Sequence, residues 1–148
     1  MSEKKTDKQI VGNVGMFYVC YQLSLLGWNV MPTSRNAKGI DIIAYSPDGK
    51  DYLGFQVKTL SKPVHISVGK EKEKIMGDYW IIVVLPDEKS PSSNPTMYVL
   101  TKDEVIARGN NYIKNGKKTA FLHKDKYEDE KFKNRLDKIV VLRDHNKR

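Results

Sequence analysis

The fold is decided by residues 39–58, which read GIDIIAYSPDGKDYLGFQVK. Two largely apolar runs, at 40–45 and 52–59, are separated by a turn that contains Asp48 and Gly49. Asp-Gly between two such runs is a strong short-range signal for a β-hairpin. We therefore predict two antiparallel strands that reverse between Asp48 and Gly49, so that Tyr45 faces Tyr52.

The two faces of this hairpin differ in chemistry. Continuing the register away from the turn pairs Asp41 with Gln56, and because strand side chains alternate, Lys58 shares their face. The opposite face is uniformly apolar and consists of Ile40, Ile42, Ala44, Leu53, Phe55 and Val57. A slip of one residue would turn this apolar set outward, so burial fixes the register. The sequence thus predicts a carboxylate, an amide and an ammonium side by side on one face.

A helix is predicted before the hairpin, at residues 8–27. Its apolar residues recur at alternating spacings of three and four in two rows, one of which is Val11, Val14, Tyr18, Tyr21 and Leu25. Two such rows cover most of the circumference, so we expect this helix to be largely buried. Gly12 and Gly15 are expected where its backbone approaches a neighbour closely. Residues 28–31 are predicted to form a short strand.

The second half of the chain continues with strands and helices. Residues 80–85 form an unbroken apolar run, typical of a central strand buried on both faces. A further strand is predicted at 97–100, and Thr101 with Glu104 forms a capping box that begins a helix through about Ala107. The remaining predictions are an irregular or extended stretch at 61–69, a charged helix at 70–76, loops at 86–95 and 109–119, a helix at 128–136 and a last strand at 139–142. Together they predict one α/β domain over residues 1–148, with a flexible start at 1–8 and a mixed β-sheet flanked by helices in the order αβββαβ.

Composition excludes several classes of protein. The 148 residues are 39% hydrophobic and 30% charged, unlike collagenous, disordered or membrane proteins. Cys20 is the single cysteine, which excludes an intramolecular disulfide and a zinc finger. The longest apolar run is too short to span a bilayer, and the first residues lack a signal-peptide pattern. These features predict a cytoplasmic protein that is neither exported nor inserted into a membrane.

The formal net charge is +8, which favours a polyanionic partner. Nucleic acid is the first choice and an anionic membrane surface the second, while a solubilising charge spread over all faces explains the same number. Candidate phosphate contacts are Arg35 and Lys38, in a polar loop before Asp41, and Lys114, Lys117 and Lys118, in the basic loop at 109–119. The alternative for each of them is a solvated loop.

The polar face of the hairpin holds the parts needed for metal-assisted hydrolysis of a phosphodiester. Asp41 offers a hard anionic oxygen to Mg²⁺ or Mn²⁺, and the side-chain oxygen of Gln56 and the carbonyl of Val57 offer neutral ones. Lys58 is placed to stabilise hydroxide or the charge that develops on the phosphate. No small-molecule cofactor is expected. The alternative is a solvated hairpin face, because any amphipathic hairpin can carry these residue types.

At these residues the sequence resembles the PD-(D/E)XK nuclease superfamily, in its Gln-x-Lys variant, whose fold is the restriction-endonuclease-like fold. The matching residues are Gly39-Ile40-Asp41 and Gln56-Val57-Lys58, with further likeness at Leu26-Gly27-Trp28 and Asp78-Tyr79-Trp80. The resemblance implies a restriction-endonuclease-like core and a metal-dependent nuclease site, in which Asp41, Gln56 and Lys58 take the catalytic positions.

Two departures from the family pattern lower the negative charge of the implied site. Gln56 stands where an acidic residue is commoner. Met16 follows the stretch from Gly12 to Gly15, where members of this kind often carry a glutamate. Asp41 is then the one carboxylate that can be placed, which weakens the expected hold on a divalent ion.

Three functions follow from these features. The first is a Mg²⁺-dependent DNA endonuclease, expected to be a homodimer because cutting both strands of a duplex calls for two sites. The second is a catalytically weak or inactive module that keeps the nuclease fold and binds nucleic acid or serves as an accessory factor. The third, a protein-interaction domain, predicts no affinity for DNA.

Overall fold

The computed structural model describes residues 7–34, 39–90 and 92–139. Its elements, in chain order, are α1 (Lys8–Leu25), β1 (Asn29–Pro32), β2 (Ile42–Tyr45), β3 (Tyr52–Leu60), β4 (Ile66–Gly69), a 3-10 turn (Lys72–Lys74), β5 (Tyr79–Val84), β6 (Thr96–Thr101), α2 (Lys102–Arg108), β7 (Asn110–Lys114), β8 (Lys117–Leu122) and α3 (Lys124–Tyr127). The strands form a five-stranded sheet, ordered β1-β2-β3-β5-β6, and a three-stranded sheet, ordered β4-β8-β7. The predicted mixed sheet flanked by helices is confirmed. Within the described ranges, no helix has the length and apolar character needed to cross a membrane.

The predicted hairpin is formed by β2 and β3. Its register is confirmed from Tyr45 facing Tyr52 to Ile42 facing Phe55. Gly49, in the turn, has a φ of 72°, a conformation that glycine adopts without strain. β3 then pairs in parallel with β5, so it has a hydrogen-bonded neighbour on either side.

α1 packs against one face of the five-stranded sheet. Val19 and Leu23 are fully buried there, in a core that also contains Phe55. The closest approach is at Gly15, where an added Cβ would lie 1.8 Å from Thr59 Oγ1. The prediction of a close contact is therefore confirmed for Gly15 and is wrong for Gly12, around which nothing lies within 4 Å of such a Cβ.

The prediction that α1 is largely buried is wrong. Val14, Tyr21 and Leu25, three members of the predicted apolar row, are exposed. A sheet covers only the side of a helix that faces it, and among the described residues no element covers the far side of α1.

The three-stranded sheet and the segment after β8 cover the other face. The core there includes Trp80 and Leu100 from the large sheet, together with Leu122 and Tyr127. The Tyr127 hydroxyl donates a hydrogen bond to the Val64 carbonyl (2.6 Å) and accepts one from the Val64 N–H (3.1 Å). This ring therefore joins α3 to the segment that enters β4.

The capping box at Thr101 and the helix behind it are confirmed, but the segment at 109–119 differs from its prediction. The predicted basic loop is a hairpin of β7 and β8, which turns at Asn115 and Gly116. Both turn residues have positive φ, as a two-residue hairpin turn requires. The stretch at 61–69 contains β4, and the helix predicted at 70–76 is reduced to the 3-10 turn.

The last predicted helix, at 128–136, is also wrong. The helix lies before it, as α3. The residues that follow form isolated turns, such as the bond from the Phe132 N–H to the Asp129 carbonyl, and they also bond to β6. Val99 donates from its N–H to the Phe132 carbonyl, and Asn134 donates to the Met97 carbonyl. Of the strand predicted at 139–142, only Ile139 is among the described residues, and its N–H closes a helical turn on the Leu136 carbonyl.

Candidate functional site

Asp41 lies at the start of β2 and is held by its backbone. Its N–H donates to the Phe55 carbonyl (2.8 Å), and its carbonyl accepts from the Thr33 N–H (2.8 Å). The Thr33 hydroxyl also donates to the carbonyl of Ile40. Bonds on both sides fix this backbone, so the direction of the Asp41 side chain is set by the fold.

The Asp41 carboxylate connects the two strands of the hairpin. Its Oδ2 accepts a hydrogen bond from Gln56 Nε2 (2.8 Å) and another from the Val57 N–H (2.8 Å). The structure thus brings Asp41 and Gln56 into direct contact, and all three residues are half-buried. The contact also satisfies a backbone N–H of β3 at the point where β2 no longer pairs with it.

The end of the ladder differs from the simple register extrapolated from the turn. The regular pairs stop at Ile42 and Phe55, and Asp41 also bonds to Phe55 instead of facing Gln56 across the ladder. Ile40, predicted on the apolar face, lies on the opposite face, with its Cδ1 3.1 Å from where a Cβ on Gly54 would be. Side chains alternate only while a strand stays regular, and here regularity ends at Ile42.

Lys58 lies on the same face of β3 as Gln56. Its Nζ is 5.8 Å from the centroid of the Trp80 ring, which belongs to the residue directly opposite Gln56 on β5. Cations are attracted to the face of an indole, so Trp80 provides a fixed platform for the ammonium. Among the described residues, no carboxylate forms an ion pair with Lys58. Its charge is therefore positioned without being neutralised.

Two turns that are distant in sequence, one at Gly39 and one at Met76 and Gly77, pack together beside Gln56. A Cβ on Gly39 would lie 2.9 Å from the Cβ of Met76, and one on Gly77 would lie 3.5 Å from the Gln56 nitrogen. Both glycines have positive φ (76° and 90°). The signal was present as a glycine two residues before Asp41 and another just before β5, but nothing in the sequence indicated that the two turns meet.

Three oxygen atoms at this site are of the kinds that bind a hard divalent cation. Asp41 Oδ2 is occupied, whereas its Oδ1 accepts no hydrogen bond from the described residues. Gln56 turns its Nε2 to Asp41, which leaves its Oε1 available. The Val57 carbonyl lies on the strand edge that its N–H presents to Asp41. Carboxylate, amide and backbone oxygens are ligands that Mg²⁺ accepts.

Acidic ligands are scarce here. Nowhere in ranges 7–34, 39–90 and 92–139 do three or more His, Cys, Asp and Glu side chains gather as a group able to hold a metal. Met16, where the family resemblance would place a glutamate, packs half-buried against the core under α1. A cation between Asp41, Gln56 and Val57 would therefore rest on one carboxylate.

Three of the five basic residues predicted to contact phosphate lie on the β7–β8 hairpin. Lys114 and Lys117 face each other across its turn and are exposed. Lys118 donates a hydrogen bond to Glu71 Oε1 (2.6 Å). This bond lowers the pKa of Glu71, and a second hydrogen bond, from Lys74, lowers it by a smaller amount. Lys118 is thus paired, whereas Lys114 and Lys117 have no acidic partner among the described residues. Arg35 and Lys38 lie outside the described residues.

Comparison with known proteins finds a match in fold and none in sequence. No protein-family model matches the sequence, and a sequence search of curated proteins finds no match. The fold matches the solved structure of a bacterial homing endonuclease, I-Ssp6803I, with a TM-score of 0.56 and 15% sequence identity. The match covers 96% of this chain and 99% of that chain. The chain therefore shares its mixed α/β fold with a homing endonuclease.

Proposed function

We propose that this chain is a metal-dependent DNA endonuclease that hydrolyses phosphodiester bonds. The observation that carries the proposal is the contact between Asp41 and Gln56, formed beside an unneutralised Lys58. The fold shared with a homing endonuclease supports this chemistry, and the side chains of the site carry the argument. The charge of +8 supports DNA as the substrate.

Asp41 Oδ1, Gln56 Oε1 and the Val57 carbonyl would hold Mg²⁺, or Mn²⁺ in its place. When bound, the cation lowers the pKa of water and neutralises charge on the scissile phosphate. The hydrogen bonds to Asp41 Oδ2 keep the carboxylate aimed at this position. Preorganised ligands of this kind need no rearrangement at the moment of reaction.

Lys58 stabilises the negative charge that grows on the phosphate. In hydrolysis the oxygen of water forms a bond to phosphorus, the bond from phosphorus to the leaving sugar oxygen breaks, and protons are exchanged with solvent. An ammonium beside the phosphoryl oxygens lowers the free energy of this transition state. Trp80 acts as a positioning residue, because its ring supports the Lys58 side chain.

Lys114 and Lys117 on the β7–β8 hairpin, and Arg35 and Lys38 before Asp41, would bind the DNA backbone. Such contacts release counterions and fix the position of the duplex without reading its sequence. Lys118 contributes less, since Glu71 already occupies it.

The test is a nicking assay on supercoiled plasmid, with Mg²⁺ or Mn²⁺ and with chelator. We expect wild-type protein to nick only when a divalent ion is present. Lys58→Ala and Asp41→Asn should each reduce the rate by about 100-fold or more, on the scale of one lost transition-state contact. Lys50→Ala, at an exposed lysine of the same hairpin, is the matched control and should keep the wild-type rate. Nicking that survives Lys58→Ala or chelator would refute the proposal.

The second candidate is a DNA-binding module that does not cut. It is favoured by the single carboxylate at the site, whose Oδ2 already serves two hydrogen bonds. Salt-sensitive binding without nicking, unchanged by Lys58→Ala and Asp41→Asn, would establish this alternative.

A further inference from the structure

The far side of α1 carries an exposed apolar stripe. We use the term α1 stripe for Ile10, Val14, Phe17, Tyr21 and Leu25, whose exposed fractions are 57%, 42%, 65%, 59% and 63%. Spacings of three and four residues align them along one side of the helix. The stripe lies opposite the side that packs on the sheet through Val11, Gly15, Val19 and Leu23.

Apart from Asp7 and Lys8 at its start, α1 carries no charged residue. Between Lys8 and Arg35 the chain contains no Asp, Glu, Lys or Arg, although the whole sequence has 26 basic and 18 acidic residues. A helix that normally faces water carries charges on its outer side. This one instead offers a continuous apolar surface, of the kind that marks an interaction site.

The stripe is complementary to itself in an antiparallel arrangement. Ile10 and Leu25 lie equally far from its midpoint, as do Val14 and Tyr21, and Phe17 lies beside the midpoint. In a pair related by a two-fold axis, Ile10 would meet Leu25, a side chain of equal size, and Val14 would meet the larger Tyr21. Antiparallel helices also place opposite ends of their dipoles together.

We propose that α1 pairs with α1 of a second copy of this chain, antiparallel, about a two-fold axis next to Phe17. The area is sufficient: large side chains present up to about 150–250 Å² each, so five of them, about half exposed, give roughly 500 Å² per copy. Two copies then bury up to about 1,000 Å², which is the smallest area expected of a biological interface. The inference depends on the α1 stripe alone and stands whether or not the protein cuts DNA.

The first test is the oligomeric state, measured by sedimentation equilibrium over a concentration series. We expect the wild type to be a dimer and Phe17→Glu a monomer, because the substitution places two carboxylates side by side at the axis. Ile113→Glu is the matched control, since Ile113 is 76% exposed on β7, away from α1, and should leave the dimer intact. Circular dichroism confirms that each variant is folded. A monomeric wild type, or a folded Phe17→Glu that remains a dimer, would overturn the proposal.

The second test checks the antiparallel register by oxidative cross-linking, with Cys20→Ala as the background. Phe17→Cys should cross-link to its own copy when an oxidant is added, because the two thiols meet at the axis. Ile10→Cys should not cross-link to itself, but it should cross-link to Leu25→Cys when the two variants are mixed. In a parallel pair, Ile10→Cys would cross-link to itself and not to Leu25→Cys, and that result would contradict the antiparallel arrangement.

Discussion

The β2–β3 hairpin and the β7–β8 hairpin both reverse at a glycine with positive φ, yet the fold embeds them differently. The first lies inside the five-stranded sheet, where Ile42 and Phe55 are fully buried. In the second, all five residues of β7 are exposed. The first can therefore hold side chains in fixed positions, and the second presents lysines that remain free to adapt to a partner.

The difference separates two tasks. Chemistry requires groups held to within a fraction of an ångström, and the hydrogen bonds at Asp41 provide this in the first hairpin. Contact with a phosphate backbone tolerates motion, because it depends mainly on charge. Each prediction below disturbs one of the hairpins and leaves the other intact.

The largest expected effect is on the support of the first hairpin. Gly15→Ala places a methyl group against the Thr59 side chain, where even the Thr59 Cβ would be only 2.8 Å away. We expect the free energy of unfolding to fall by about 2–3 kcal/mol, as for an overpacked core. The measurement is urea denaturation.

Gly12→Ala is the control for this change, because nothing lies near a Cβ at that position. Helix propensity predicts that it stabilises the protein by up to about 1 kcal/mol. If both substitutions changed the free energy of unfolding equally, the close contact between Gly15 of α1 and Thr59 of β3 would not contribute to stability.

A second carboxylate at the site is expected to reveal its affinity for cations. Gln56→Glu removes the donor to Asp41 Oδ2 and leaves two carboxylates in contact. Without divalent ions the variant should be less stable by about 1–3 kcal/mol, since a bonded group loses its partner. Added Mn²⁺ should raise its Tm more than that of the wild type. A variant whose Tm ignores Mn²⁺ would argue against a cation at this position.

The three-stranded sheet, which contains the second hairpin, should respond to alkaline pH through Tyr127. Burial raises the pKa of Tyr127 to about 12, from an ordinary value near 10. A raised pKa means that the stabilising contribution is complete below about pH 10 and is lost as pH rises towards 12. The free energy of unfolding should therefore fall over this interval.

Tyr127→Phe supplies the comparison, because it keeps the ring and loses both bonds to Val64. It should be less stable at neutral pH by about 1–2 kcal/mol and should show a smaller alkaline loss. An identical pH dependence in both proteins would refute the role assigned to Tyr127.

The smallest expected effect concerns DNA affinity. Replacing both Lys114 and Lys117 by alanine should weaken binding by about tenfold and reduce the salt slope by about two, or one for each phosphate contact. Nicking at saturating DNA should be unchanged. Lys118→Ala should lower affinity less, because its partner is Glu71. Fluorescence anisotropy at several salt concentrations measures the affinity and the salt slope of the wild type and of both variants. A larger loss of affinity from Lys118→Ala than from the double substitution would contradict the proposed contacts.

The sequence predicts the first hairpin well and the second poorly, for a physical reason. Two independent signals, the alternation of apolar residues and the Asp48-Gly49 turn, predict the same register for β2 and β3. In the second hairpin the turn signal, Asn115-Gly116, is equally clear, but β7 has no buried face and therefore lacks the alternation that identifies a strand.

The contacts of the candidate site likewise include one that the sequence predicts and one that it does not. The proximity of Asp41 and Gln56 was predictable from the sequence, because the hairpin register brings the two residues near each other, although regular pairing ends one residue before Asp41 is reached. The Trp80 platform under Lys58 depends on the parallel pairing of β3 with β5. No local pattern encodes a pairing between strands separated by another strand and a turn, so this contact required the structure.

The hydrogen bond from the Val57 N–H to Asp41 has an evolutionary consequence. Asp41 maintains the architecture as well as the proposed chemistry, so a descendant that had lost the ability to cut would still be selected to retain it. Lys58 contributes no such bond among the described residues, and drift would erase it once cleavage ceased to matter. Among related proteins, Lys58 would therefore be retained only where cleavage is retained, whereas Asp41 would be retained in both cases.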